Sequence, residues 1–513
     1  MMAKQKTSLM QRFLNIVERG GNALPHPATL FLGFAVITLL VSWIGSWLGW
    51  QILHPANGNV ISVKNLLSGD GLHFILEKTV VNFTDFAPLG IVLVAMLGIG
   101  IAESSGLIGV AIRLLVLSAP KSLLTFVLVF AGIMSNMASD IGYVLLIPMA
   151  GVIFIAVGRH PIVGMAAAFA GVSGGFSANL FLGTIDPLLA GLSQEAAQII
   201  DPSYVVNPTA NYYFMIVSTF LISFLGTWVT EKIVAPRFGK YQPDGEEENI
   251  ALERLTKKEK KGLLYSGLTF MLFLGLILWG AIPEDGVMRS EDGSLLHSPL
   301  LRGVVTLLFV VAGAMGIVYG TVVGKFKNDA DVMKGMAESM KALATYIVLV
   351  FFAAQFVAYF KESNLGIVLA VNGAEALKAA NLNIYVLMVL FILFAATINM
   401  LMGSASAKWA IMAPVFIPIF MLMGYSPELS QVVFRIGDSV TNIISPMMSF
   451  FALIIAFVQK YDKNAGIGTI ISTMIPFSII FFIGWTILLM AWIYFDIPLG
   501  PDSPLYYHGA AHL

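Results

Sequence analysis

The sequence predicts an all-α polytopic membrane protein: nine transmembrane helices plus two re-entrant helical hairpins, arranged as inverted-topology repeats with broken helices. Three observations lead there. Hydrophobic residues make up 58% of the 513-residue chain and charged residues only 12%, with a mean hydropathy of +0.84, whereas soluble domains carry about 25% charged residues. The chain also repeats itself: Pro148 is followed by Gly158 and Pro161, and Pro414 is followed at the same offsets by Gly424 and Pro427. Finally, each copy is entered and left through small, polar patches inside apolar stretches. These run from Ser135 to Asp140 and from Ser177 to Pro187 in the first copy, and from Gly403 to Trp409 and from Arg435 to Pro446 in the second. Paired interrupted helices of this kind mark the binding site of a secondary transporter.

The elements follow in order. Residues 1–27 carry Lys4, Lys6, Arg12 and Arg19 and read as a cytoplasmic segment. The apolar run 28–50 is too long for a signal peptide and lacks a small-residue cleavage site, so it reads as a retained first span. A run of ~20 apolar residues crosses the hydrocarbon core, and further runs fall at 88–118, 161–198, 211–234, 262–282, 300–325, 342–360, 427–459 and 467–495. The segment His54 to Thr84 reads as an external loop with some amphipathic character, and Leu365 to Ala380 as a short amphipathic stretch. Two more apolar regions, 122–158 and 384–424, are split by polar patches into arms of ~13–17 residues, too short to span singly, which predicts re-entrant hairpins. The organisation is therefore a first span and first repeat at 28–235 and a charged cytoplasmic linker at 236–261. Connecting spans fill 262–341, the second repeat 342–495, and an external tail 496–513.

Lysine and arginine placement tests this arrangement, because short cytoplasmic loops hold an excess of both. With the amino terminus inside, cytoplasmic segments collect 20 of the 29, and external segments six: Lys64, Lys78, Arg289, Arg302, Lys361 and Lys378. Five spans separate the hairpins, so one enters from each side and the repeats are inverted.

Other function classes lose their reagents. Cysteine is absent, which removes thiolate chemistry and disulfides. His26, His54, His73, His160, His297, His508 and His512 fall in loops or at segment ends, where no intramembrane metal or hydrolase centre is easily built. Gly320 to Phe326 has three rather than four residues between its glycines and no Ser or Thr after Lys325, so it is no phosphate loop. The GVSGG run from Gly171 suits close helix contact, not a dinucleotide. A net charge of −1 says nothing about nucleic acid. A channel on the same repeats is the remaining alternative, against which buried Arg435 and Asp438 at discontinuous helices argue.

An ionisable side chain at mid-membrane costs at least ~2.5–3.5 kcal/mol on insertion scales and needs a partner or a purpose. Asp140, Asp186, Lys408, Arg435 and Asp438 lie in or beside the interruptions; Glu103 and Arg113 lie nearer the ends of the second span. Arg435 and Asp438 stand three apart and either neutralise each other or act separately. In the second case Asp438, Asn442, Asn399 and freed carbonyls offer hard oxygen ligands to sodium, while Arg435 meets an anionic substrate. Asp186, Asn179 and Asn136 form the matching set in the first repeat. A carboxylate at such a break binds sodium or carries a proton. Trp409 precedes Pro414 by five residues, as Tyr143 precedes Pro148, and serves either packing or stacking on an aromatic ligand. Lys408 beside it is a second anion contact or a snorkelling residue.

Several motifs resemble the AbgT family of aminobenzoyl-glutamate transporters. They are Pro25-His26-Pro27, Asn82-Phe83, Phe86 to Gly90, Ala156 to Pro161, Gly175 to Leu180, Asn211 to Phe214 and Phe434 to Ser439. The resemblance implies a homodimer in a bacterial inner membrane, multi-pass, each subunit with its own site and no cofactor beyond a coupling sodium or proton. It implies p-aminobenzoyl-glutamate as substrate, or sulfonamide antimetabolites as exported drugs. The family's functional positions fall on Asp186, Asn399, Ser406, Trp409, Pro427, Arg435, Asp438 and Pro446. The expectation is a cation-coupled secondary transporter, not an enzyme, with the direction of transport left open.

Overall fold

The computed structural model describes residues 25–53, 59–137, 141–239, 241, 255–295, 298–507 and 509. Asp140, the terminal segment 1–24 and the linker stretch 242–254 lie outside the described residues. The described chain is almost wholly helical, with one two-stranded hairpin, β1 (Gln51–Leu53) against β2 (Val60–Ser62).

The first part runs α1 (Pro27–Trp47), α2 (Gly69–Thr84), α3 (Ala87–Ser105) and α4 (Leu107–Leu117). The expected external loop at 54–84 therefore contains β2 and the helix α2, capped by Ser68, whose hydroxyl accepts from Gly71 N–H at 3.2 Å. The single span expected at 88–118 is two helices. Gly106 takes φ +88, a left-handed conformation that side chains disfavour, and separates α3 from α4. Beyond α4 the chain bends by 112° at Ser118 to Pro120, where a proline ends any continuing helix.

The first hairpin has arms α5 (Leu124–Ser135) and α6 (Ile147–Ala156), the latter continuing a π-turn at Gly142–Leu146. The broken span that follows is α7 (Pro161–Phe169), extended by a π-turn to Gly174, then an irregular stretch, then α8 (Ile185–Ala197). Helix α9 starts at Tyr212 and runs on to Phe238. The connecting region holds α10 (Lys257–Ala281), α11 (Val304–Val323) and α12 (Asp329–Ala342). Lys257 to Lys261 thus open a helix, capped by a reciprocal Thr256/Glu259 box, and do not belong to the linker. Helix α12, polar and amphipathic, was not expected.

The second repeat runs α13 (Ala344–Glu362), α14 (Leu365–Ala379), hairpin arms α15 (Ile384–Leu401) and α16 (Ala405–Leu422), broken span α17 (Pro427–Asn442) and α18 (Phe451–Gln459), and α19 (Ile467–Tyr494). Both arms of this hairpin have 18 residues, longer than expected and ~27 Å at helical rise. Pro414 and Pro418 sit inside α16 without ending it.

Among the described residues nine helices are long and apolar enough to cross a membrane. The number matches the expectation, but the membership differs. The two second-hairpin arms are among the nine, while neither half of either broken span reaches that length. In each repeat the hairpin tip lies against that repeat's own break. A Cβ on Gly183 would sit 3.0 Å from the Asn136 carbonyl oxygen, and one on Gly403 would overlap the Met447 carbonyl. Glycine is required where backbones approach this closely. The tail expected at 496–513 folds back, burying Leu499 and Leu505.

Candidate functional site

Helix α17 explains the position of the site. Glu428, Gln431, Arg435, Asp438 and Asn442 recur every three or four residues, which places them on one helical face. All five are buried, so the polar stripe faces protein and must be satisfied there.

Arg435 and Asp438 do not neutralise each other. The Arg435 guanidinium donates through Nη2 to Asp186 Oδ1, across to the first repeat, and Asp186 Oδ2 accepts the Gly183 N–H at 2.6 Å. Asp186 opens α8 in its first turn, where the helix N-terminus favours an anion. Asp438 Oδ1 accepts from the Lys408 ammonium, and its Oδ2 accepts from Asn442 Nδ2 at 3.3 Å. Lys408 is 0% exposed, so it neither snorkels nor waits for an anion. Two crossed ion pairs therefore tie α17 to the first broken span and to the second hairpin.

Asn399 completes the Lys408 cluster. Its Oδ1 accepts from Lys408, and its Nδ2 donates to the Asp438 carbonyl at 2.7 Å, to Thr441 Oγ1 at 2.9 Å and to Asn442 Oδ1 at 2.9 Å. The oxygens expected to hold sodium in the second repeat are thus taken up by an ammonium and an amide. Ser445, in the break, donates to the Asn399 carbonyl at 3.2 Å, with Pro446 next to it. Ser406 lies in the first turn of α16, its hydroxyl 3.2 Å from that of the N-cap Ser404. Pro427 is the first residue of α17, capped by Ser426, which accepts from Leu429 N–H at 3.1 Å.

The expected matching set in the first repeat is not equivalent to the second. Asp186 starts the helix after its break, whereas Asp438 lies in the helix before its break. Asn179 is used within the first repeat, Oδ1 accepting from Phe181 N–H at 3.2 Å and Nδ2 donating to the Ile133 carbonyl of α5 at 3.4 Å. Asn136, 6% exposed at the first hairpin tip, has no partner among the described residues at either amide atom. Arg435 Nε is likewise buried without a partner among the described residues.

Trp409 is fully buried, stacked on Phe434 with ring centroids 4.5 Å apart and planes 27° from parallel. Its indole Nε1 donates to Ser193 Oγ at 2.9 Å. Of the two readings of Trp409, packing is the one this arrangement displays. Ser193 in turn donates to Gln431 Oε1 at 2.7 Å, and Gln431 Nε2 to Asn211 Oδ1 at 2.9 Å. Sequence reasoning missed Ser193, Gln431 and Thr441. The stripe along α17 signalled Gln431; nothing in the sequence pointed to Ser193, one small polar residue on an apolar face.

Comparison with known proteins agrees with this architecture. The profile of the "AbgT putative transporter family" matches residues 12–507. The p-aminobenzoyl-glutamate transport protein of Escherichia coli (strain K12) is 37% identical over 486 residues, covering 94% of this chain and 95% of that protein. The Alcanivorax borkumensis YdaH transporter, a crystal structure of unusual topology, superposes with a TM-score of 0.88 at 46% identity, covering 93% of this chain and all of that one. Neisseria gonorrhoeae MtrF, described within a class of antimetabolite efflux pumps, gives a TM-score of 0.91 at 51% identity over 96% of this chain and all of its own. With a family profile spanning nearly the whole chain and a relative of this identity, the protein belongs to the AbgT transporter family.

Proposed function

We propose that this protein is a secondary active transporter that couples a sodium or proton gradient to movement of p-aminobenzoyl-glutamate or a related aromatic carboxylate. The observation that carries this reading is the pair of crossed, buried ion pairs on α17, set where two broken spans meet the second hairpin. Buried charges in a membrane protein mark ion and substrate pathways, and here the two pairs tie the second hairpin and the first broken span to α17.

Each charged group has a task in this reading. Among the described residues Arg435 keeps one donor, Nε–H, unpartnered, and a substrate carboxylate is the acceptor that matches a guanidinium edge. The Lys408 ammonium holds the second hairpin to Asp438, so a monovalent cation at this place competes with it. Sodium exchanges for the ammonium, or a proton moves on and off the Lys408/Asp438 pair. Asn136, whose buried side-chain carbonyl accepts from no described residue, is the first-repeat position where a sodium ion finds an oxygen ligand.

A second reading, export of sulfonamide antimetabolites, draws on the likeness to MtrF. Such drugs share the aminobenzene half of the carboxylate substrate, and one slot serves both. Helices α10 and α11 bury only 11% and 22% of their apolar windows within the subunit, which supports a homodimer seated in lipid through those faces. The test is counterflow in proteoliposomes with labelled p-aminobenzoyl-glutamate or a sulfonamide, under imposed sodium or proton gradients. Saturable, gradient-driven movement of the first supports the symport reading; movement of the sulfonamide alone, against its gradient, supports export; movement of neither sinks both.

A further inference from the structure

The far end of α17 carries a carboxyl group that the crossed ion pairs do not use. Glu428, in the first turn of α17, is 2% exposed. Among the described residues no basic side chain forms an ion pair with it, in contrast to Asp186 and Asp438. Its Oε2 accepts from the Tyr204 hydroxyl at 2.9 Å, and the Ser426 side chain lies beside it.

Among the described residues the other titratable groups around it are acids. Asp502 acts on Glu428 from the C-terminal segment, and Tyr507 of the same segment meets the Tyr204 ring edge-on at 5.7 Å. The Tyr507 hydroxyl donates to Asp201 Oδ2 at 3.3 Å. Burial, then the neighbouring Glu428, holds the Tyr204 hydroxyl above the ordinary tyrosine range, so it stays a donor. The first-turn amides of α17 favour an anion, but burying a carboxylate without a cation costs more than they return.

The C-terminal segment lies over the turn that leads into Glu428. Residues 496–507 cross this end of the core as a strap. Leu499 O accepts from the Tyr213 and Phe214 N–H groups at 2.9 and 3.2 Å. Leu505 O accepts from Ser426 N–H at 3.0 Å, and Gly424 O from Tyr507 N–H at 2.9 Å. Tyr425 and Tyr506 form an antiparallel bridge. The strap thus binds the turn just before Glu428 to the start of α9. A chain of hydrogen bonds leads from there to the site: Asn211 Nδ2 donates to the Glu428 carbonyl at 3.0 Å, and Asn211 connects through Gln431 and Ser193 to Trp409.

We propose that Glu428 is a proton-binding site: it holds a proton while the strap is closed and releases it to water when the strap lifts. The neutral form suits the dry, closed arrangement and the carboxylate suits the hydrated, open one. Closure is therefore favoured at low pH and opening as pH rises. The inference concerns the strap and stands apart from the identity of the substrate.

The test uses purified full-length protein in two measurements. Infrared spectroscopy through neutral pH is expected to show a protonated-carboxyl stretch that Glu428→Gln removes. Because the chain lacks cysteine, spin labels at Pro504→Cys and Tyr213→Cys, both exposed, report strap position. Their separation is expected to lengthen with rising pH in the wild-type background and to stay short at all pH in Glu428→Gln. Tyr204→Phe, which removes a donor to the carboxylate, is expected to move the transition to higher pH and serves if the glutamine variant does not fold. A missing Glu428 carboxyl band, or a pH-dependent separation that persists in Glu428→Gln, overturns the proposal.

Discussion

Lys408 and Asp438 show why buried pairs in this core are better read as switches than as stabilisers. Removing one partner leaves a charge buried without its counter-ion, at a cost of about 3–5 kcal/mol, whereas replacing both is often neutral. We therefore expect Lys408→Met and Asp438→Asn each to lower the melting temperature of the solubilised protein. The double variant should recover most of that loss, a coupling of a kcal/mol or more in a double-mutant cycle. Additive melting shifts would show that the pair does not exist in the folded protein. At this scale the sequence was only partly legible. Asp186, Asn399, Trp409, Arg435 and Asp438 stand out as polar or aromatic residues in apolar runs, and the structure gathers all of them around α17. Their partners do not stand out, because an i,i+3 spacing suggests local pairing while the actual pairing joins positions 249 and 30 residues apart. Only the folded core decides between these.

The elements carry two further tests. Gly403 forms the second hairpin tip, where a methyl group would overlap the Met447 carbonyl. Gly403→Ala is expected to push the tip off the break and abolish uptake while far-ultraviolet circular dichroism stays unchanged; retained uptake would show that the tip need not touch the break. At the turn between first hairpin and first broken span, His160 accepts the Ile162 N–H at 3.3 Å and packs on Phe238 and Tyr241, with centroids 5.1 and 5.4 Å away. Burial lowers its pKa below the ordinary 6.5, and Asp462 opposes this. A group favoured neutral in the fold supports stability fully above its unfolded pKa, and that support is lost as pH falls. Melting temperature should therefore drop on acidification through about pH 6, and His160→Asn, which retains a capping acceptor, should drop less. An equal drop in both would assign the effect to other groups. Hairpins and breaks were legible because prolines, glycines and polar clusters punctuate apolar runs. The split at Gly106 and helix α12 were not, since one glycine in a long apolar run and a polar helix both lack that contrast.

At the scale of the whole molecule, the proposed transport cycle moves the hairpins and broken spans as one body against the remaining long helices. Between them lies a cavity of about 650 Å³ lined by Phe34, Phe356, Val368, Ile411 and Val415. The space opens to the outside of the subunit and lies beside the hairpin arm that bears Lys408, which leaves the arm room to move. The cysteine-free sequence makes Phe356→Cys with Val415→Cys the sole thiol pair. Oxidation is expected to stop uptake, and reduction to restore it; cross-linked protein that transports normally would refute relative motion of the two bodies. The repeat at Pro148 and Pro414 made the paired hairpins and broken spans legible. The folding of the tail over α17 was not foretold, since 496–513 carries no periodic pattern.

The central claim is that the crossed ion pairs on α17 couple a cation gradient to solute movement. The most direct measurement is uptake of labelled p-aminobenzoyl-glutamate into proteoliposomes under an inward sodium gradient, an inward proton gradient or none, for wild type and the Lys408→Met/Asp438→Asn double variant. The account predicts gradient-driven accumulation by wild type, and in the double variant solute exchange that no gradient drives. Accumulation by the double variant under the same gradient, at the wild-type level, would contradict it.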